Sequence, residues 1–233
     1  MSICVISQPR FFPGLHYLHR MLVADVFVIL DTVQFTPRHE ENRAKLKSPQ
    51  GAQWLTAPVR KHNREQTILE TKIDNSQRWQ RKAMNTLTAL YGKTPLFRDY
   101  ADAVSSILET PHETLSQLDQ ASWQPALQSL GVSCQFVNAS ELRASGNGPQ
   151  LLLNICKQLK ASVYLSGALG KDYLDTAAFA AEGVSVKFHH YAYPVYAQRF
   201  GEFVPFLSYL DMLFNVGLDR DEIMAGGSLH VAD

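Results

Sequence analysis

The sequence is poor in cysteine: three residues, Cys4, Cys134 and Cys156, far apart and odd in number. That argues against a disulfide framework and excludes a Cys-x-x-Cys zinc pattern. Cys4 and Cys134 lie in apolar runs and read as small core residues. Neither sign of charge is in excess, with 22 Lys+Arg against 22 Asp+Glu. A global electrostatic footprint for nucleic acid is therefore missing, and no nucleic-acid partner is expected. No apolar run is long enough to span a bilayer, so no membrane insertion is expected. The chain enters an apolar run at once, with no charged n-region or cleavage pattern, and a secretory leader is not expected. Repeats and low-complexity tracts are absent. The expectation is a cytoplasmic protein with no permanently bound cofactor and no metal. Apolar residues make up 45% of the 233, enough for a substantial core.

Five short apolar runs alternate with helical patterns: 3–7, 26–30, 134–137, 163–166 and 184–188. Such alternation predicts an α/β fold, a Rossmann-like five-stranded parallel sheet with helices on both faces. The predicted strand order is 3-2-1-4-5. Within one domain over 1–233, residues 39–73 read as a small antiparallel insertion. The turn signal Ser48-Pro49-Gln50-Gly51 makes a hairpin of 44–47 and 54–59, and 68–73 is a third strand candidate. Residues 76–131 read as a helical segment, with Ser76 as a cap and Gly92 and Gly131 as stops. Further helices are predicted over 149–159, 173–181 and 205–215.

The chemistry-bearing residues cluster where these strands end, and in open parallel sheets ligands bind at carboxyl strand ends where the order reverses. After the first strand comes Gln8-Pro9-Arg10-Phe11-Phe12-Pro13. Its prolines hold it out of helix. Gln8 offers an amide edge, and Phe11 or Phe12 either stacks on a flat ligand or plugs the core. His16 and His19 share a helix face. They are either surface histidines or phosphate contacts like those of the His-x-Gly-His motif of nucleotidylyltransferases, with Leu18 in place of the glycine. After the second strand, Asp31 is placed to bind a ribose, a metal or an amine, or to cap a turn. Gln34, Arg38, Asn42, Arg43 and Lys45 follow, a local basic cluster suited to phosphate or carboxylate.

After the fourth strand, Ser166-Gly167-Ala168-Leu169-Gly170-Lys171-Asp172-Tyr173 permits a backbone nest beside a lysine. The spacing is not that of a Walker A loop. The alternative is a tight turn with Asp172 capping the next helix. The strand order would set Gln8 and Gly167 across one crevice. Tyr196 and Gln198, after the last strand, are candidates to line it. Ser208, Asp211 and Asn215 share a face of the last helix, as a capping element or as part of a site.

These segments together resemble the WbqC-like family. The resemblance is carried by Gln8-Pro9-x-Phe11-Phe12-Pro13, Ala24-Asp25-x-Phe27-Val28-x-Leu30-Asp31-x-Val33-Gln34-Phe35, Asn42-Arg43 and Trp54-Leu55-Thr56-x-Pro58-Val59. Trp79, Tyr91, Pro95 and Phe97 continue it. Ser166-Gly167, Gly170-Lys171-Asp172-Tyr173-Leu174, Pro194-Val195-Tyr196-x-Gln198, Leu207-Ser208 and Leu213-Phe214-Asn215-x-Gly217 complete it. The resemblance implies modification of sugars for bacterial surface glycans, as in O-antigen biosynthesis, with an aminoacyl or acyl group passed to an amino sugar. The expected partner is a small anionic substrate, a nucleotide or nucleotide sugar. On that reading Asp31, Lys171, Asp172 and Asp211 are catalytic candidates. Gln8, Phe12, Gln34, Arg38, Asn42, Arg43, Ser166, Gly167, Gly170, Tyr173, Tyr196, Gln198 and Asn215 are substrate-binding candidates. His16 and His19 are candidate phosphate contacts. The rival readings are an ATP-dependent nucleotidylyltransferase and a non-catalytic binding or scaffold protein.

Overall fold

A computed structural model describes residues 2–61 and 63–231. In chain order the elements are β1 (Ile3–Ser7), α1 (Leu15–Val23), β2 (Val26–Ile29), β3 (Arg43–Ser48), β4 (Gly51–Thr56), α2 (Trp79–Tyr91), α3 (Phe97–Glu109) and α4 (Leu115–Leu130). Then come β5 (Gln135–Asn138), α5 (Gly148–Gln158), β6 (Val163–Ser166), α6 (Thr176–Ala181), β7 (Ser185–Tyr191), α7 (Tyr209–Asn215), α8 (Arg220–Ala225) and β8 (Gly227–Val231).

The main sheet has six strands in the order β5-β2-β1-β6-β7-β8. The neighbours from β5 to β7 pair in parallel, and β7 pairs with β8 antiparallel. β1 is central because it is buried on both faces, and side chains alternate between the faces with period two. Val5 points to one side with Phe27 and Leu165, where α1 and α4 supply Tyr17, Leu18 and Trp123. Cys4 and Ile6 point to the other with Val28, Tyr164 and Val186, where α5 and α6 supply Leu153, Ile155 and Phe179. Helices thus cover both faces.

The sheet corrects the five-stranded expectation. It is six-stranded, mixed rather than wholly parallel, and its full order differs by the added β8. The five parallel strands themselves lie in the order third, second, first, fourth, fifth. β8 carries only Leu229 as an interior apolar residue, so no periodic signal marks it; an edge strand needs little beyond a ladder to join. The expected third strand of the insertion is a turn, closed by Thr71 N–H to the Ile68 carbonyl, with isolated bridges Gln34–Thr67 and Val59–Ile73. The insertion keeps its two-stranded sheet of β3 and β4.

Helix starts also moved. Ser76 turns back onto Asp74, and α2 begins at Trp79. Residues 168–172 form a 3₁₀ turn, and α6 starts only after Asp175, whose carboxylate caps it. The last expected helix is α7, capped by Ser208, since Phe206 just before it takes a left-handed φ of 61°. Two predicted ends hold: α2 stops at Gly92, and α4 stops at Gly131 with φ 58°. A Thr114–Gln117 capping box opens α4. Among the described residues no helix is long and apolar enough to cross a membrane.

The junction of α8 and β8 is built around His19. A Cβ on Gly227 would lie 1.9 Å from His19 Nε2. Only glycine lets β8 start there without moving α1. Gly227→Ala is therefore expected to destabilise the protein by about 1–3 kcal/mol, the usual cost of forcing extra volume into a packed interior. Urea unfolding of the variant checks this; an unchanged midpoint would show that the junction has slack.

Candidate functional site

At the carboxyl ends of β1 and β6 a crevice of about 540 Å³ opens, a size within the small-molecule range. These two strands are neighbours, and connections leave them in opposite directions, so the crevice sits where the strand order reverses. Gln8 on one side and Ser166, Gly167 and Gly170 on the other line it together.

The loop after β1 is held from below. The Trp123 indole donates to the Arg10 carbonyl at 2.8 Å, and Tyr17 donates to the Gln8 carbonyl at 3.0 Å. Ser122 accepts the Phe12 N–H at 2.9 Å. Phe11 and Phe12 are buried, in edge contact with each other and close to Trp79 and Tyr209. Phe12 is thus a core plug, with a strained φ of 40°, and does not face the crevice. With its aromatics down and its carbonyls tied, the loop presents Gln8 and Arg10 upward.

Two hydrogen-bonded chains reach the crevice. Arg10 pairs with Glu40 and contacts His16 Nε2 at 3.0 Å. An arginine only donates, so Nε2 of His16 accepts and the ring proton lies on Nδ1. Nδ1 meets the Tyr193 hydroxyl, which accepts and keeps its own proton free to donate. Burial holds the His16 pKa well below the usual range, with Arg20 and Arg10 adding to it, and burial pushes the Tyr193 hydroxyl up. The chain ends in a neutral donor.

The second chain runs the other way. His19 faces the Met224 carbonyl, an acceptor that requires a ring N–H. Its Nδ1 then accepts from His189 Nε2 at 3.0 Å, the rings stacked 4.9 Å apart. His189 is left with the Nδ1 lone pair. Burial, then the charge of Arg20, pushes its pKa down to about 3, so it is neutral at pH 7. Between the chains lies Arg20, 6% exposed, with Tyr17 under its guanidinium at 5.2 Å. Burial and Arg10 pull its pKa down to about 10, which leaves it charged.

Of the residues expected from sequence, Gln8, His16, Ser166, Gly167, Gly170 and Tyr173 meet at the crevice. His19 lies behind it. The two histidines of the His-x-x-His pair enter separate networks and do not form one phosphate-binding face. Asp31 is buried, its carboxylate receiving the Ser140 N–H and hydroxyl at 3.0 and 2.6 Å. Lys171 and Asp172 are exposed outside the lining, with the lysine 5.5 Å over the Phe188 ring. Gln34 donates to the Arg64 carbonyl. Asn42 donates to the Ala57 carbonyl at 2.9 Å, and Arg43 reaches the Arg38 carbonyl. Arg43 and Lys45 cover the exposed Trp54 of the hairpin instead.

Asp211, Tyr196, Gln198 and Asn215 form a different cluster. Asp211 is fully buried and accepts from the hydroxyls of Tyr91 and Tyr196, both at 2.9 Å. Gln198 binds the buried Lys47 ammonium, and Asn215 accepts the Arg199 N–H. This network ties the segment after β7 to the hairpin. Sequence reading missed Arg10, Arg20, His189, Tyr191 and Tyr193 as site residues. Arg20 carried a usable signal: it follows His16 by four residues on a helix whose buried face it shares. His189 carried one too, as a polar residue directly after the apolar run 184–188, although a strand end and a crevice wall look alike in sequence.

A model of the WbqC-like protein family matches residues 8–223. The chain belongs to the WbqC-like protein family. The uncharacterized protein Rv1507c of Mycobacterium tuberculosis is 32% identical over 227 residues, 96% of this chain and 98% of that protein. No solved structure matches the chain. Among the described residues no group of three or more His, Cys, Asp or Glu is placed to hold a metal ion.

The geometry makes Asp31 a test of structure against chemistry. Asp31→Ala removes the carboxylate that accepts the Ser140 N–H and hydroxyl, and is expected to cost about 1–3 kcal/mol of stability, the usual loss for hydrogen bonds to a charged group. Ligand affinity at the crevice should stay within error, as read by calorimetry. Loss of binding in a variant that melts normally would return Asp31 to the site.

Proposed function

We propose that this WbqC-like protein is a transferase that passes an acyl or aminoacyl group to a nucleotide-linked or activated amino sugar in surface-glycan biosynthesis. One observation carries the transferase reading. The crevice has a wired proton donor, Tyr193, and a wired proton acceptor, His189, on one wall. A site that only binds needs no such opposed pair. A group transfer from an activated donor to an amine does: the amine gives up a proton as its nitrogen bonds the acyl carbon, and the carbonyl oxygen gains charge. His189 Nδ1 takes the proton. Tyr193 donates to the oxygen or to the leaving group, which departs with the bonding electrons. The sugar and glycan part of the reading is supported by the family resemblance alone.

Neutral His189 suits this role at pH 7, although a base pushed down to about 3 is weak until substrate charge raises it. A bound anion beside Arg20 removes one of the two main causes of the depression. The nucleotidylyltransferase alternative finds less support, because His16 and His19 act in different networks.

The test offers nucleotide-linked amino sugars with acyl and aminoacyl donors, and reads products by mass spectrometry. His189→Gln keeps an N–H for His19 and replaces the basic ring nitrogen with an amide that does not take up a proton. Turnover is expected to fall about 10²–10⁴-fold with substrate affinity nearly unchanged. Absence of transfer across the panel, or wild-type turnover in His189→Gln, would refute the proposal.

A further inference from the structure

We infer that Arg20 anchors a phosphate-binding subsite in the crevice, against Gly167, and that the ligand's phosphate rather than a protein carboxylate is its counter-charge. The inference shares the crevice of the transferase reading but concerns binding only.

The first observation is an unpartnered buried cation. Arg20 is 6% exposed, and its Nε has no hydrogen-bond partner. The ion pairs among the described residues are Arg10–Glu40, Lys72–Glu113 and Lys157–Glu182, none of which involves Arg20. The charges that act on it are repulsive, chiefly Arg10, and the groups that favour its charge are tyrosines. Arginine is almost never fully buried unless paired. A lone buried guanidinium is costly, and a protein keeps it only where something else supplies the pairing.

The second observation is direction. Arg20 lines the crevice, and a Cβ on Gly167 would stand 3.8 Å from its Nη1. The bare backbone at Gly167 leaves the guanidinium edge open to the cavity. On the same wall, a Cβ on Gly170 would meet the Ser166 hydroxyl at 2.1 Å, so the turn packs close to the strand end and stays out of the cavity.

The third is sign. Arg10, Arg20, His16, His39 and His189 line the crevice, and none of its lining residues is Asp or Glu. Arg10 is neutralised by Glu40 from outside the lining; Arg20 is not. A tetrahedral phosphate offers acceptor oxygens in several directions and can engage the Arg20 fork, Arg10 and the Tyr193 hydroxyl at once. A planar carboxylate is used up by a single guanidinium. A phosphate ester or diphosphate therefore fits the donor set best. Lys171, with its ammonium over Phe188, lies outside this set.

Titration calorimetry on the full chain with inorganic pyrophosphate, and with malonate as a planar dianion, tests this. The wild type is expected to bind pyrophosphate and to bind malonate at least tenfold more weakly. Arg20→Met should lower pyrophosphate affinity at least tenfold while its unliganded melting temperature stays level or rises, since a lone charge has left the interior. Arg20→Lys, which keeps the charge and loses the fork, should fall between the two and serves if the Met variant does not fold. Failure of the wild type to bind pyrophosphate, equal malonate affinity, or wild-type affinity in both variants would overturn the inference. Pyrophosphate binding without turnover would retain the subsite and count against the transferase reading alone.

Discussion

The site depends on one anchoring interaction, the indole N–H of Trp123 on the Arg10 carbonyl. Trp123 is buried in α4, on the face that packs against α1 and β2 through Tyr17 and Phe27. A buried indole wants an acceptor, and here the acceptor is the backbone of the ligand loop. The same helix offers Ser122 to Phe12 and, through its Ser122 carbonyl, receives Tyr209 of α7. Core packing and loop position are thus one set of contacts. With the loop backbone held, Arg10 has one place to be, and Glu40, His16 and Tyr193 follow in line.

Electrostatics divides the two arginines of the crevice. Arg10 is half-buried and paired, and acts as a positioning group for His16. Arg20 is buried and alone. Burial, with its field added, holds both His16 and His189 neutral, which keeps lone pairs in a crevice otherwise suited to anions. A local cation therefore tunes the imidazoles as well as facing any ligand, and the two roles are coupled: neutralising the guanidinium changes the basicity of its neighbours.

Much of this was legible in the chain. The apolar runs at 3–7, 26–30 and 163–166 locate the central strands, and Gln8 and Gly167 locate the crevice because parallel sheets bind at strand ends. Asp31 and Asp211 mislead for a shared reason. A carboxylate near a strand end or on a helix face looks the same whether it meets a ligand, a serine hydroxyl or two tyrosines. Arg20 was legible only in part: its four-residue spacing from His16 is written in the sequence, but its burial without a partner is not. β8 escapes because an edge strand is specified by a neighbour's unpaired backbone rather than by its own side chains. Period and turn chemistry are written locally; partners of buried polar groups are set by tertiary contacts far along the chain.

The central position of β1 bears on how the molecule reaches this state. Its partners are β2, close in sequence, and β6, whose approach brings Ser162 against Ser2 across a separation of 160 residues. Half of the ladder on the first strand can form early, but the other half must wait for a large loop to close. During that wait β1 carries a bare, apolar edge, the kind of surface that chaperones bind and that other chains pair with. The crevice forms at that same delayed seam, so a partly folded chain has no half-working site.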